Sequence, residues 1–124
     1  YSPVFLYKWD EAYQSLREDG ALHVYRNPLT GGDVMSTMGA RLELVKAPGK
    51  LKRHTGSVIY QVATGRGWSE VGGKRFEWEE KDIFAIPSWC AYRHGPSGSG
   101  DAVLFSFNDF PAMKALALFR EEAL

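Results

Sequence analysis

Short segments with strand character, separated by turns rich in glycine and proline, run along most of this sequence. Residues 39–46 alternate between apolar and charged side chains, as a half-buried β-strand does. The other predicted strands are 22–25, 58–63, 68–71, 75–78, 82–86, 91–94 and 102–107. Helical spacing occurs only at 9–19 and 110–122, where Asp10 and Asp109 are candidate caps. This order of elements predicts an all-β sandwich or barrel with a helix near each end.

The length of 124 residues fits a single domain. We expect an N-terminal segment with a helix over 1–20, a β-barrel over 21–108 and a C-terminal helix over 109–124. The chain begins with Tyr1 rather than methionine, which suggests a piece of a longer protein. The single cysteine, Cys90, suits a reducing compartment, and no signal peptide or lipidation motif is visible. We therefore expect a cytoplasmic protein.

The charge balance and the lengths of the apolar runs argue against nucleic acid and membranes as partners. Lysine plus arginine equals aspartate plus glutamate at 15 each, so the net charge is zero, and no basic cluster interrupts the sequence. Nucleic-acid binding depends on such a cluster, so nucleic acid is excluded as the main partner. No apolar run is long enough to cross a membrane. A neutral surface also fits a domain that is covered in an assembly.

Two segments, 50–67 and 82–94, carry the candidate chemistry. Both resemble the paired motifs of cupins, in which two histidines one residue apart, a glutamate and a later third histidine hold a divalent metal. Alternate residues of a strand share a face, so the histidine pair of a cupin points into the barrel lumen. Gly65 and Pro87 match the turn and the proline of these motifs. The resemblance implies a cupin barrel, also called a jelly roll or double-stranded β-helix.

The four metal-ligand positions of the cupin motifs are occupied here by Lys52, His54, Val58 and Tyr92. Only His54 is a usual metal ligand. A protonated lysine has no lone pair to offer, and valine has no donor atom. We therefore expect neither a metal nor a catalytic residue in this domain.

The resemblance extends over the whole chain to one family, the bicupin ring-cleaving dioxygenases, which include gentisate, 1-hydroxy-2-naphthoate and salicylate dioxygenases. The segments that carry it are 1–7, 9–10, 27–32, 53–60, 76–78, 82–84, 87–89, 105–109 and 118–122. It implies the C-terminal half of such an enzyme, with catalytic Fe(II) bound by the N-terminal cupin. The implied partners are that N-terminal cupin and further copies in a homo-oligomer. The chain alone would then be inactive, with a role in structure and assembly.

Three alternatives remain open from the residues alone. One is a stand-alone module that binds a small aromatic or carboxylic ligand in a lumen pocket formed by the residues His54, Tyr60, Trp89, Tyr92 and His94. The same aromatic side chains equally suit ordinary barrel filling. A third interpretation is a metal site rebuilt from His54 and His94 together with Tyr92, because Tyr92 and His94 are two residues apart and share a strand face. The thiol of Cys90 has no adjacent activating group, so we expect a structural cysteine.

Overall fold

A computed structural model describes residues 6–19, 22–35, 37–97 and 100–123. Within these ranges the chain forms two helices and ten strands. Their bounds in chain order are α1 Trp9–Asp19, β1 Leu22–Val24, β2 Gly39–Val45, β3 Lys52–His54, β4 Val58–Thr64, β5 Gly67–Val71, β6 Lys74–Trp78, β7 Ile83–Ile86, β8 Tyr92–Pro96, β9 Ala102–Asn108, α2 Phe110–Ala115 and β10 Glu121–Ala123. No helix in the described ranges is long and apolar enough to span a membrane.

The strands form two antiparallel sheets. The first sheet has the order β1-β2-β9-β4-β7 and the second has the order β10-β3-β8-β5-β6. One core cluster contains residues of both sheets, including Tyr60 and Leu104 from the first and Trp78 and Tyr92 from the second. The inner faces of the sheets therefore enclose a common interior, which we call the lumen.

The alternation in β2 divides its side chains between two environments. Leu42 and Leu44 pack on the outer face of the first sheet against Ala12 and Leu16 of α1, in a second core cluster. Arg41 lies on the opposite face, with its guanidinium carbon 5.1 Å from the centre of the Phe110 ring in the lumen core. The apolar face of this strand is thus covered by the helix, while its charged face turns inward.

The predicted tight turn at Gly72-Gly73 joins β5 and β6, with Val71 paired to Lys74. Both glycines have positive φ, 58° and 83°. A two-residue hairpin turn of this kind requires positive φ at both central positions, which glycine adopts without steric cost. The sequence signal for this hairpin is therefore confirmed.

The predicted C-terminal helix over 110–122 is wrong in its second half. Helix α2 ends at Ala115, and Ala117 takes a positive φ of 58° while the Leu118 amide donates to the Met113 carbonyl at 2.8 Å. This pattern closes a helix C-terminus. The chain then returns as β10, which pairs antiparallel with β3, placing Glu121 opposite His54.

Two hydrogen bonds of the Thr55 side chain hold the segment between α2 and β10. Its hydroxyl donates to the Leu118 carbonyl at 2.8 Å and accepts from the Arg120 amide at 2.9 Å. The predicted cap at Asp109 is also corrected, because its carboxylate accepts from the Ser57 amide at 2.7 Å instead of capping α2. The Asn108 side chain accepts from the first amide of α2, that of Phe110.

Candidate functional site

The four residues at the cupin ligand positions come together in and beside the lumen. His54, Val58 and Tyr92 are nearly inaccessible, with 3%, 3% and 2% of their surfaces exposed. Lys52 pairs with Tyr92 across β3 and β8, and its ammonium lies 5.4 Å from the centre of the Tyr92 ring. Lys52 and His54 therefore share one face of β3, with Tyr92 beside them on β8.

Both ring nitrogens of His54 have hydrogen-bond partners within the protein. Nδ1 lies 2.7 Å from the carbonyl oxygen of Gly56, and Nε2 lies 2.8 Å from the hydroxyl of Tyr92. A carbonyl only accepts, so Nδ1 carries the proton, and Nε2 of the neutral ring accepts from the Tyr92 hydroxyl. Burial lowers the pKa of His54, against the raising effect of the bond to Gly56. His54 is therefore a neutral imidazole whose lone pair is already engaged.

Tyr60 lies beside these two residues, with its ring centre 6.4 Å from that of Tyr92. The pKa values of Tyr60 and Tyr92 are both raised. Burial is the largest cause for both groups, and it raises the pKa of Tyr92 to about 12. Tyr92 thus donates to His54, and His54 donates to the Gly56 carbonyl.

His94 lies on the same inward face of β8 as Tyr92, 7% exposed, and its ring centre is 4.7 Å from that of Tyr60. Its Nδ1 lies 2.7 Å from the hydroxyl oxygen of Ser69, which also accepts from Trp78 Nε1 at 2.8 Å. Its Nε2 is buried without a hydrogen-bond partner in the described part of the chain. Burial, aided by the charge of Lys52, lowers the pKa of His94 to about 3.

A charged pair in the lumen, Arg41 and Glu43, was missed by the sequence analysis as part of the site. Glu43 acts electrostatically on Tyr60 and Tyr92, and burial raises its pKa while Lys52 and Arg41 lower it. The alternation of β2 did separate these residues from Leu42 and Leu44. It could not show which face turns inward, because that depends on α1 covering the other face.

Trp89 does not join the other residues of the suggested lumen pocket. Its side chain is 40% exposed, and the guanidinium of Arg53 lies 4.4 Å from its ring centre. Cys90 next to it is a free, partly buried thiol. The remaining four residues do meet, as a set of packed rings in which Tyr92 lies between His54 and His94 at ring-centre distances of 5.3 and 5.4 Å.

Comparison with known proteins gives a consistent group of relatives, although no family model matches the chain. The 5-aminosalicylate 1,2-dioxygenase of Comamonas sp is 33% identical over 134 residues, covering 98% of this chain and 36% of that protein. Gentisate 1,2 dioxygenase 1 of Aquipseudomonas alcaligenes is 33% identical over 132 residues, covering 97% of this chain and 38% of that protein. This chain matches one domain of the gentisate-type 1,2-dioxygenases. It spans somewhat more than a third of the length of these relatives.

Solved structures of the gentisate 1,2-dioxygenase family confirm the fold. A salicylate 1,2-dioxygenase from Pseudaminobacter salicylatoxidans superposes with a TM-score of 0.85 at 28% identity, covering 94% of this chain and 38% of that one. A variant of that enzyme in complex with gentisate superposes equally well, with 36% of its chain covered. The predicted all-β cupin barrel with a short helix near each end is therefore correct.

The catalytic iron implied by the gentisate 1,2-dioxygenase family does not fit the residues at the ligand positions of this chain. A usual iron site of this type needs several imidazole or carboxylate donors around open coordination positions. Val58 offers none, Lys52 would have to lose its proton, and the His54 lone pair is occupied by Tyr92. No step of an iron reaction is therefore assigned to these residues.

Proposed function

We propose that this chain is the C-terminal cupin of a longer, gentisate-type ring-cleaving dioxygenase, and that it serves structure and assembly without holding iron. The observation that carries the proposal is the state of His54. It is the one ordinary metal ligand at the four ligand positions, and it uses both ring nitrogens in hydrogen bonds within the protein. Ring cleavage is assigned to Fe(II) in the N-terminal cupin of the intact enzyme.

The proposed substrate class follows from the relatives, whose names specify gentisate, salicylate, 5-aminosalicylate and 1-hydroxy-2-naphthoate. All four are aromatic carboxylic acids with a hydroxyl group on the ring. The intact parent of this chain is proposed to act on an acid of the same class. The chain itself is proposed to be inactive when isolated.

An apolar area on the outer face of the first sheet supports the assembly role. Ile59 on β4, Phe107 on β9 and Ile83 on β7 are 38%, 37% and 67% exposed. Ile59 and Phe107 are direct partners across the two strands, and Ile83 pairs with Gln61 two residues along β4. Clustered exposed apolar side chains are typical of surfaces that another domain or subunit covers. The N-terminal cupin and further copies of the protein are the proposed partners.

Metal analysis of the purified chain tests the absence of iron. After anaerobic incubation with Fe(II) and desalting, we expect no stoichiometric iron in the wild type and no ring-opened product from gentisate in air. The combined variant Lys52→His, Val58→Glu and Tyr92→His restores the four donor positions and serves as the positive comparison. We expect it to retain Fe(II), because it supplies three imidazoles and a carboxylate on facing strands.

The result that would overturn the proposal is stoichiometric iron in the wild type that is lost in His54→Ala. The same result would support the interpretation of a site rebuilt from His54 and His94, which remains a prediction. Ring-opened product formed by the wild-type chain alone would also contradict the structural role.

A further inference from the structure

Strand β7 is an open edge of the first sheet, because β4 is its only neighbour in the described part of the chain. Its sequence, Ile-Phe-Ala-Ile, has no charged side chain. Edge strands are normally protected from other chains by charged side chains, proline or very short length. The edge strands at the other ends of the two sheets have such protection, with only three residues in β1 and with the charged residues Lys74, Arg75 and Glu77 in β6 and Glu121 and Glu122 in β10.

The hydrogen bonds beside β7 show which of its backbone groups face outward. The amide and the carbonyl of Val62 both bond toward the start of β7, at 2.9 and 2.8 Å. Backbone groups alternate in direction along an antiparallel strand, so Tyr60 also bonds toward β7, to its register partner Phe84. The residues on either side, Ile83 and Ala85, therefore direct their amide and carbonyl groups away from β4, at the open edge.

The side chains of β7 divide between the lumen and the outer face of the first sheet. Phe84 packs against the lumen core, with its ring centre 5.2 Å from that of Tyr60, and Ile86 is only 1% exposed. Ile83 and Ala85 are exposed on the outer face. The inward side chains thus hold β7 in place, and the outward ones can be changed without opening the core.

The apolar area on the outer face reaches the open edge without a charge. Ala85 pairs with Ile59, which pairs in turn with Phe107. In the next row of the sheet, Ile83 pairs with Gln61. A surface of this kind lacks the charges that would repel an identical surface.

We propose that β7 pairs antiparallel with β7 of a second copy of this chain, which joins the first sheets of both copies into one continuous sheet. With Phe84 on the two-fold axis, Ile83 lies opposite Ala85 of the second copy. The outward amide and carbonyl groups of these residues then form about four hydrogen bonds across the axis.

Two properties of β7 favour a second copy as the occupant. A two-fold axis brings every group near it close to its own counterpart, and an uncharged strand meets no like charge there. The same symmetry places the large Ile83 side chain beside the small Ala85 side chain of the other copy, so that neither pair of large side chains collides. The edge therefore complements itself in both charge and size.

This inference rests on the assembly role proposed above and names the partner at one edge of the apolar area. The outer face of the joined sheet stays available to the N-terminal cupin. Because the contact involves one short strand from each copy, we expect weak association of the chain, with a Kd of about 10–100 µM.

Sedimentation equilibrium of the chain at concentrations from about 10 µM to about 1 mM tests the proposal. We expect a monomer–dimer equilibrium in the wild type. Ile83→Lys should weaken the dimer at least about tenfold, because a lysine on an edge strand opposes strand pairing. Gln61→Lys is the matched control, since it adds the same charge to the same face one strand further from the edge, and it should leave the dimer intact.

Hydrogen exchange of the isotope-labelled chain, followed by NMR, locates the contact. The amides of Ile83 and Ala85 should exchange more slowly as the concentration of the chain rises, whereas the Phe84 amide, bonded to Tyr60, should be protected at every concentration. The same spectra show whether each variant is folded, and Ala85→Lys replaces Ile83→Lys if that variant is not.

A wild-type chain that stays monomeric at about 1 mM would overturn the pairing of two copies. A dimer that survives Ile83→Lys but is lost in Gln61→Lys would also overturn it, in favour of stacked outer faces. The metal analysis described above separates the two proposals. A monomer without iron would contradict only the pairing of β7, and an iron-binding dimer would contradict only the metal-free role.

Discussion

His54 and His94 are both buried, both face the lumen, and both have a pKa lowered chiefly by burial. Their hydrogen bonds differ. Around His54 both ring nitrogens have partners, the Tyr92 hydroxyl and the Gly56 carbonyl. At His94 the series from Trp78 through Ser69 ends in an Nε2 atom without a partner among the described residues. We call the surroundings of these two residues the His54 region and the His94 region.

The difference concerns the positions at which the cupin resemblance places metal ligands. In the His54 region, the residue at the third histidine position, Tyr92, supplies a hydrogen bond where a metal ligand would otherwise stand. The rings of Phe110 and Phe119 pack on the other side of the imidazole, at 4.6 and 6.4 Å between ring centres. In the His54 region every ring nitrogen thus has a partner and the ring is packed, whereas His94 Nε2 has no partner among the described residues.

The largest loss of stability is expected from truncating the Tyr92 side chain in the His54 region. Tyr92→Ala removes a fully buried ring and leaves His54 Nε2 without its donor. We expect the free energy of unfolding, measured by urea denaturation, to fall by about 3–5 kcal/mol. Tyr92→Phe keeps the ring and removes only the hydroxyl, so its expected cost is about 1–3 kcal/mol. Small and equal losses of unfolding free energy in Tyr92→Ala and Tyr92→Phe would show that neither the ring nor the hydroxyl of Tyr92 stabilises the His54 region.

A medium effect is expected from lowering the pH, and a variant of His94 measures the contribution of the His94 region. His94 has a folded pKa of about 3, while an unfolded histidine titrates near 6.5. Below pH 6.5 the unfolded chain binds more protons, so stability falls with falling pH. From pH 7 to pH 5 the loss due to His94 should be about 2 kcal/mol, and His54 adds to it in the same direction.

Urea denaturation at the two pH values measures this loss. His94→Gln should reduce the difference in the free energy of unfolding between the two pH values. Equal stability of the wild type at pH 7 and pH 5 would mean that His94 is not buried as a neutral ring.

The sequence alone predicted those features of the fold that depend on residues close together in the chain. Strand alternation and the Gly72-Gly73 turn are local, and both appear in the structure as predicted. The end of the chain was predicted wrongly, because residues 110–122 have helical apolar spacing throughout. Pairing with the edge of β3 and hydrogen bonds to the Thr55 side chain stabilise β10 instead of a longer helix. These contacts join residues more than sixty positions apart.

The candidate site, too, could be predicted only where local strand geometry determines it. The motif resemblance located His54, Val58 and Tyr92, since their positions follow from strand parity. It could not show that Arg41 and Glu43 turn inward, because that depends on α1 covering the outer face of β2. The hydrogen bond of His94 likewise depends on Ser69, which lies on another strand.

The smallest effect is expected at the edge of the His54 region, where β10 covers β3. Arg53 and Glu122 form an ion pair of 3.1 Å between these strands, with side chains 32% and 43% exposed. Exposed pairs of this kind contribute at most about 1 kcal/mol, so Arg53→Met should lower the free energy of unfolding by no more than that. Amide exchange at Glu121–Ala123 should accelerate locally, and Glu122→Gln should reproduce much of the effect with little change of shape. A loss as large as that of Tyr92→Ala would mean that the pairing of β10, rather than the packed rings, holds His54 in place.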